Sequence, residues 1–249
     1  MLNFTKKLFL LYLVFITDPY LHAQTFGFGC LGFVGGYGGY SYQNYKPAGL
    51  NEYIEYWNSL EFVHSPIDEF SSADGYRLGL NFFRATFENK IIVTAKGFYQ
   101  YVNEINKATV GGSTNSDNHS MDLTFKSWAL GFDVGWEFTK VVSWKILDGS
   151  LNFNSVTFTQ TTDLPGESDI NKYKSDSGVI GYSIGTGIIV AIIKDYVSIE
   201  GLAGYSQIVF DNVYSEDGEP FLNSNYEEKF IDSGGFSAVI QLNVGFPLL

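Results

Sequence analysis

The chain has 249 residues, 45% of them hydrophobic and 17% charged, which suits one domain with sizeable loops. Its formal net charge of −12 argues against a nucleic-acid partner, which needs a basic face, and its single cysteine, Cys30, excludes an internal disulfide. The 22 Phe, 17 Tyr, 4 Trp and 27 Gly, against 6 Pro, favour many paired strands: proline interrupts a ladder, whereas aromatics and glycine fit one.

At the N-terminus, Lys6 and Lys7 precede an apolar run over 8–16 that is broken by Thr17, Asp18 and Pro19. This is the pattern of a secretory signal peptide over 1–23, cut near Ala23-Gln24, with 24–249 as the folded domain. The run is too short to cross a bilayer as a helix, which takes about 20 residues, and no later segment is long enough. Cys30 follows Gly27, Phe28 and Gly29 and lacks the Leu-x-small context of a lipid-anchored cysteine. It reads as a small packed residue.

Beyond Gln24 the pattern turns to period two, the mark of strands with two unlike faces. Eight strands are predicted, over 27–41, 75–86, 91–106, 122–139, 146–161, 177–192, 196–211 and 233–246. In the first connection, Leu50, Ile54 and Trp57 share one helical face and predict a short capping helix or, functionally, a partner-docking element. The same connection holds His64-Ser65 and Asp68, a candidate base, nucleophile and orienter for a lipid-acting hydrolase or acyltransferase, at a spacing that matches no motif. His119 is placed in a loop. In the fourth strand Trp128, Leu130, Phe132, Val134, Trp136 and Phe138 alternate with Ser127, Ala129, Gly131, Asp133, Gly135 and Glu137. The fifth strand loses its alternation near Asn154, which calls for a bulge. In the sixth, Ile180, Tyr182, Ile184, Thr186, Ile188 and Val190 oppose Gly181, Ser183, Gly185 and Gly187. In the last, Phe236, Ala238, Ile240, Leu242, Val244 and Phe246 oppose Ser237, Val239, Gln241, Asn243 and Gly245.

A Gly/Ser face cannot build an apolar core, and the bulky sets of every strand do not fit inside a narrow barrel. The connections after strands two, four and six read as short, with Glu88-Asn89 and Lys194-Asp195 as turns, and those after one, three, five and seven as long. Together these features predict an all-β fold: an eight-stranded antiparallel up-and-down transmembrane β-barrel in the cell outer membrane, both termini periplasmic. Trp128, Phe132, Trp136, Ile184, Ile188, Ile240 and Leu242 are then lipid-facing. Arg77, Lys96, Asp133, Glu137 and Glu200 form a lumen charge network, since isolated buried charges are costly, with Asp133 as the central acid and a proton or ion path as the functional alternative.

On this alternation, the aromatic strand ends and the alternating loop lengths, the sequence resembles the OmpA/OmpX-type small outer-membrane barrels. Its Asn/Tyr/Phe-rich style is similar to their Bacteroidetes members. The resemblance covers 27–246 and is architectural. The stretch Val239-Ile240-Gln241-Leu242-Asn243-Val244-Gly245-Phe246 resembles the signal read by the barrel-assembly machinery, although Pro247-Leu248-Leu249 follow where the family ends on an aromatic. The resemblance implies outer-membrane lipids as surroundings and that machinery as a partner in biogenesis. Family members serve as structural links, adhesins, small pores or lipid-modifying enzymes, so the family selects no single role.

The expectation is therefore a non-enzymatic outer-membrane protein with a structural or interaction role, a subunit beside a larger complex, with a protein partner at the external loops. A narrow pore or binder of a small hydrophobic ligand is one alternative, and a lipid-modifying enzyme another. A secreted soluble barrel of lipocalin type is the rival fold. The last connection is acidic, with Asp211, Glu216, Asp217, Glu219, Glu227, Glu228 and Asp232 against Lys229. Ser215-Glu216-Asp217-Gly218-Glu219 offers oxygen ligands for calcium but lacks EF-hand spacing, and a solvated acidic loop is the simpler reading. With no P-loop, no GxGxxG fingerprint and no Cys/His cluster, neither cofactor nor metal is expected.

Overall fold

The computed structural model describes residues 25–26, 35–87, 89–112, 115–164, 167–193, 196–223 and 226–245. The expected signal peptide over 1–23, Cys30, Glu88, Lys194-Asp195 and the C-terminal residues 246–249 lie outside the described residues. Eight long strands form the wall: β1 (Gly35–Lys46), β2 (Ser72–Thr86), β3 (Ile91–Gly112), β4 (Asn115–Glu137), β5 (Val142–Leu164), β6 (Val179–Ile193), β7 (Val197–Gln207) and β8 (Ser233–Gly245). Each pairs antiparallel with the next, and β8 closes on β1 with Ile240 opposite Tyr40, so the sheet has no open edge in the wall. Shorter pieces join it: Thr25–Phe26 on β2, Val63–Ser65 on β3 and Glu167–Lys174 on β5.

Close pairing across the ring depends on missing side chains. A Cβ on Gly39 would lie 2.1 Å from the Ile240 carbonyl oxygen, and one on Gly79 would lie 2.2 Å from the ring of Tyr37. The Tyr37 ring instead lies over the bare Gly79 backbone and fills the lumen beside Phe98.

The wall has two parts, and the period-two pattern switches phase between them. In the lower part of β4, Trp128, Leu130, Phe132 and Trp136 point outward and are exposed, while Ser127, Ala129 and Asp133 point inward and are buried. Higher on the same strand the faces exchange character. Phe125, Leu123 and Met121 are buried inside, and Lys126, Thr124, Asp122 and Ser120 stand outside. On β5, Leu151 and Phe153 are outward and Asn152 and Asn154 inward; above them Val156 and Phe158 are inward and Ser155, Thr157 and Thr159 outward. The expected slip near Asn154 is this exchange of faces. The register irregularity of β5 lies elsewhere, at Ile146–Leu147, opposite Val134–Gly135 of β4 and Gly187–Gly185 of β6.

The exchange explains why the expected loop over 107–121 is strand. β3 and β4 run on to Gly112 and Asn115, paired throughout, because their inner face has apolar burial to gain on top of the barrel. His119 is therefore a buried residue of β4. The resulting upper chamber is an apolar core. Helix α1 (Ala48–Asn58) contributes Leu50, Ile54 and Trp57, and the β7–β8 connection contributes Ile208, Phe210, Phe230 and Ile231. Two asparagines hold the following chain to the helix: Asn51 exchanges two 2.9 Å hydrogen bonds with the Phe70 backbone, and Asn58 two of 2.9 Å with Ile67. Gly49 permits the close approach of the Glu228 and Lys229 carbonyls, which a Cβ would meet at 2.8 Å.

Candidate functional site

The lumen below this core is polar, and its charges balance. Arg77 of β2, Lys96 of β3 and Lys145 of β5 face Asp133 of β4, Asp148 of β5 and Glu200 of β7, all buried. Lys145 is the hub: it is hydrogen-bonded to Glu200 and its Nζ lies 3.1 Å from Asp133 and 3.3 Å from Asp148. Lys96 is hydrogen-bonded to Asp148 and stands 3.7 Å from Asp133. The irregularity at Ile146–Leu147 makes the hub. Lys145 and Asp148 have opposite parity and would sit on opposite faces of a regular strand, but the extra residue turns both inward. Gly131 leaves room for it, since a Cβ there would lie 3.3 Å from Cε of Lys96.

Arg77 takes no ion pair within this cluster. Its Nε and Nη2 donate to Gln100 Oε1 at 3.0 and 2.7 Å, and the guanidinium lies 4.1 Å over the Phe98 ring. Gln100 also accepts from Ser41 and donates to Gln43. Toward the end of the barrel where β8 finishes, Gln241 and Asn243 donate to Glu200, at 3.3 and 3.0 Å. Glu137, expected in the network, lies at the lower end of β4, partly exposed, where its N–H donates to the Lys90 carbonyl and its carboxylate makes no ion pair among the described residues. Neither Lys145 nor Asp148 is among the expected members: Asp148 keeps the parity of the inward Asn152 and Asn154, whereas Lys145 breaks it. A lumen void beside Arg77, Asp148 and Ser183 has a volume of about 30 Å³, room for a water but not a ligand.

Trp128, Phe132, Trp136, Ile184, Ile188, Ile240 and Leu242 all stand on the outer surface, between 42% and 66% exposed. They belong to a continuous apolar band. Its lower rim carries Trp136, Phe138 and Trp144, with centroids 5.0 and 6.2 Å apart in sequence around the rim. Its upper rim carries Tyr76, Tyr99, Tyr101 and Trp128, with Tyr76–Tyr101 at 5.4 Å and Tyr99–Trp128 at 4.9 Å. From Trp128 to Trp136 is about 27 Å along the strand, on the order of 20 Å of membrane depth at the usual tilt. A closed barrel that is apolar outside and polar inside over this height inverts the arrangement of a soluble barrel.

The protein is an outer-membrane β-barrel.

No protein-family model and no curated protein matches the chain. Similar solved structures include the attachment invasion locus protein Ail of Yersinia pestis in complex with the heparin analogue sucrose octasulfate. It is 13% identical, with 85% of this chain and 97% of that one covered and a TM-score of 0.38. Neisserial surface protein A is 14% identical, with 89% and 99% covered and a TM-score of 0.42. The outer membrane protease OmpT of Escherichia coli is 9% identical, with 86% and 94% covered and a TM-score of 0.39. Such a likeness concerns fold alone, and the fold admits enzymes and non-enzymes alike.

The remaining sequence candidates are dispersed on the outside. His64, Ser65 and Asp68 are exposed, and no hydrogen bond joins their side chains. Ser215–Glu219 is a turn closed on itself: Ser215 N–H donates to the Glu219 carbonyl, and Glu219 N–H donates to Ser215 Oγ. Its acids point to solvent, and among the described residues no group of three His, Cys, Asp or Glu side chains is placed to hold a metal ion. The apolar face of α1 is buried in the upper core, and Glu52, Glu55 and Tyr56 form its exposed face.

Proposed function

We propose that the protein is a sealed, non-enzymatic barrel that works through its outer surface, as a structural or interaction subunit of a larger outer-membrane assembly. One observation carries this reading: the interior is filled twice over, by the charge network below and by the apolar core above. A conducting path would have to cross ion-paired side chains and then a core holding Phe70, Phe158 and Phe230, each almost wholly buried. The void beside Arg77 is too small for a hydrophobic ligand. The dispersal of His64, Ser65 and Asp68 favours the non-enzymatic reading over the lipid-modifying one. In this proposal the apolar band faces lipid, residues 1–23 are removed on export, and the β8 strand is read by the barrel-assembly machinery.

The test has two arms. Affinity-tagged protein drawn from native outer membranes in mild detergent is expected to bring down a defined partner in fixed ratio, and planar bilayers holding the purified protein are expected to show no channel steps. Regular conductance steps, or a lipase or protease activity lost on His64→Ala, would overturn the reading.

A further inference from the structure

Above the exchange of faces, the outer wall of β3, β4, β5 and the Glu167–Lys174 strand carries mainly polar rows, interrupted by the exposed Ile105 and Ile170 and set by cross-strand pairing. The lowest is Tyr101–Lys126–Ser155, then Asn103–Thr124–Thr157–Lys174, then Ile105–Asp122–Thr159–Lys172, then Lys107–Ser120–Thr161–Ile170. They line an open hollow of about 440 Å³ on the outside of the barrel, bordered by Lys107, Lys126 and Lys172 and by threonine side chains. The three lysines are exposed, and among the described residues no carboxylate lies within ion-pair distance of any of them. The hollow's acid, Asp122, accepts a 2.8 Å hydrogen bond from the Thr124 hydroxyl. In a chain of net charge −12, three uncommitted cations around one hollow are a departure from the acidic background.

Position selects the ligand. The row directly beneath is Tyr99–Trp128–Phe153, the upper rim of the apolar band, so the hollow begins where the hydrocarbon ends and the outer-leaflet headgroups lie. At ordinary strand spacing the three lysines fall within roughly 20 Å of one another. We propose that this wall binds the phosphate-bearing headgroup of an anionic outer-leaflet glycolipid. Lys107, Lys126 and Lys172 pair with its phosphates, the threonine hydroxyls donate to phosphate and sugar oxygens, and the acyl chains lie against Tyr99, Trp128 and Phe153. A free anion has no use for the apolar row, and an acidic polypeptide has no reason to sit at this height.

The experiment uses the full-length folded protein in nanodiscs of neutral phosphatidylcholine doped with diphosphoryl lipid A, with retained lipid read by native mass spectrometry. The wild type is expected to retain lipid A in preference to phosphatidylcholine. Each lysine is worth about fivefold near an anionic surface, so the triple variant Lys107→Gln, Lys126→Gln, Lys172→Gln is expected to lose affinity by on the order of a hundredfold. The matching triple Arg variant keeps the charge and is expected to keep binding, and heat-modified gel mobility reports that both are folded. Millimolar inorganic phosphate is expected to leave lipid A in place. Equal retention by the wild type and the Gln variant, displacement by inorganic phosphate, or capture of acidic peptides in place of lipid A would overturn the proposal.

Discussion

Lys145 shows how a single side chain depends on local backbone irregularity. It touches three carboxylates in a lumen closed to bulk water, so its loss leaves Asp133 and Asp148 to share Lys96 and, among the described residues, leaves Glu200 with only the amide donors Gln241 and Asn243. Breaking a buried pair from one side costs about 3–5 kcal/mol, whereas removing both partners costs much less. Lys145→Met is therefore expected to lower the urea midpoint of unfolding from lipid vesicles strongly, and Lys145→Met with Glu200→Gln to recover much of it. Additive losses would contradict the hub. Asp133, Lys96 and Glu200 were legible as lumen charges because they keep strand parity; Lys145 was not, because Ile146–Leu147 shifts the register and no residue type there announces it.

His119 gives a residue-scale test outside the membrane, above the exchange of faces. Its ring stacks on Trp57 at 4.8 Å, its Nδ1 lies 2.8 Å from Thr162 Oγ1, and its buried Nε2 has no hydrogen-bond partner among the described residues. Burial holds the imidazole below its ordinary range. As pH falls through about 6.5 the unfolded chain takes up a proton first, so the upper chamber loses stability on acidification. Proteolysis of the external half is expected to quicken between pH 7.5 and pH 5, and His119→Gln to flatten that dependence.

At the scale of elements, the same alternation builds two different environments. Along β4 and β5 the bulky side chains leave the outer face and enter the inner one within a step of Lys126 and Asn154. Reading for one apolar face per strand finds the lower half and ends the strand where the signal changes sign, which is why 107–121 read as loop. The amphipathic spacing of Leu50, Ile54 and Trp57 was enough to place α1 as a cap, because a helix with three apolar residues on one face buries that face. The two halves answer to opposite substitutions. Ile54→Ala empties the upper core and is expected to cost about 2–5 kcal/mol, seen as faster cleavage of the external loops. Phe132→Arg leaves that core intact and is expected to cost about 2–4 kcal/mol of insertion, seen in refolding yield into bilayers.

At the scale of the molecule, a closed ring of eight strands was readable from strand count, Gly/aromatic alternation and short turns at one end. A one-residue slip in any strand would have turned its whole apolar set inward, so the pattern determines the fold strongly. The chamber above the band was not readable, since its core is assembled from α1, the extensions of β3, β4 and β5, and the distant connection over 208–232. The central claim is that one wall serves two solvents, lipid outside the lower half and water outside the upper. The four tryptophans report on both: Trp128, Trp136 and Trp144 lie on the band and Trp57 is sealed in the upper core. Single-tryptophan versions in vesicles with brominated acyl chains test it most directly. Trp128, Trp136 and Trp144 are expected to be quenched by the bromines while Trp57 stays bright; quenching of Trp57, with Trp128 and Trp136 untouched, would contradict the account.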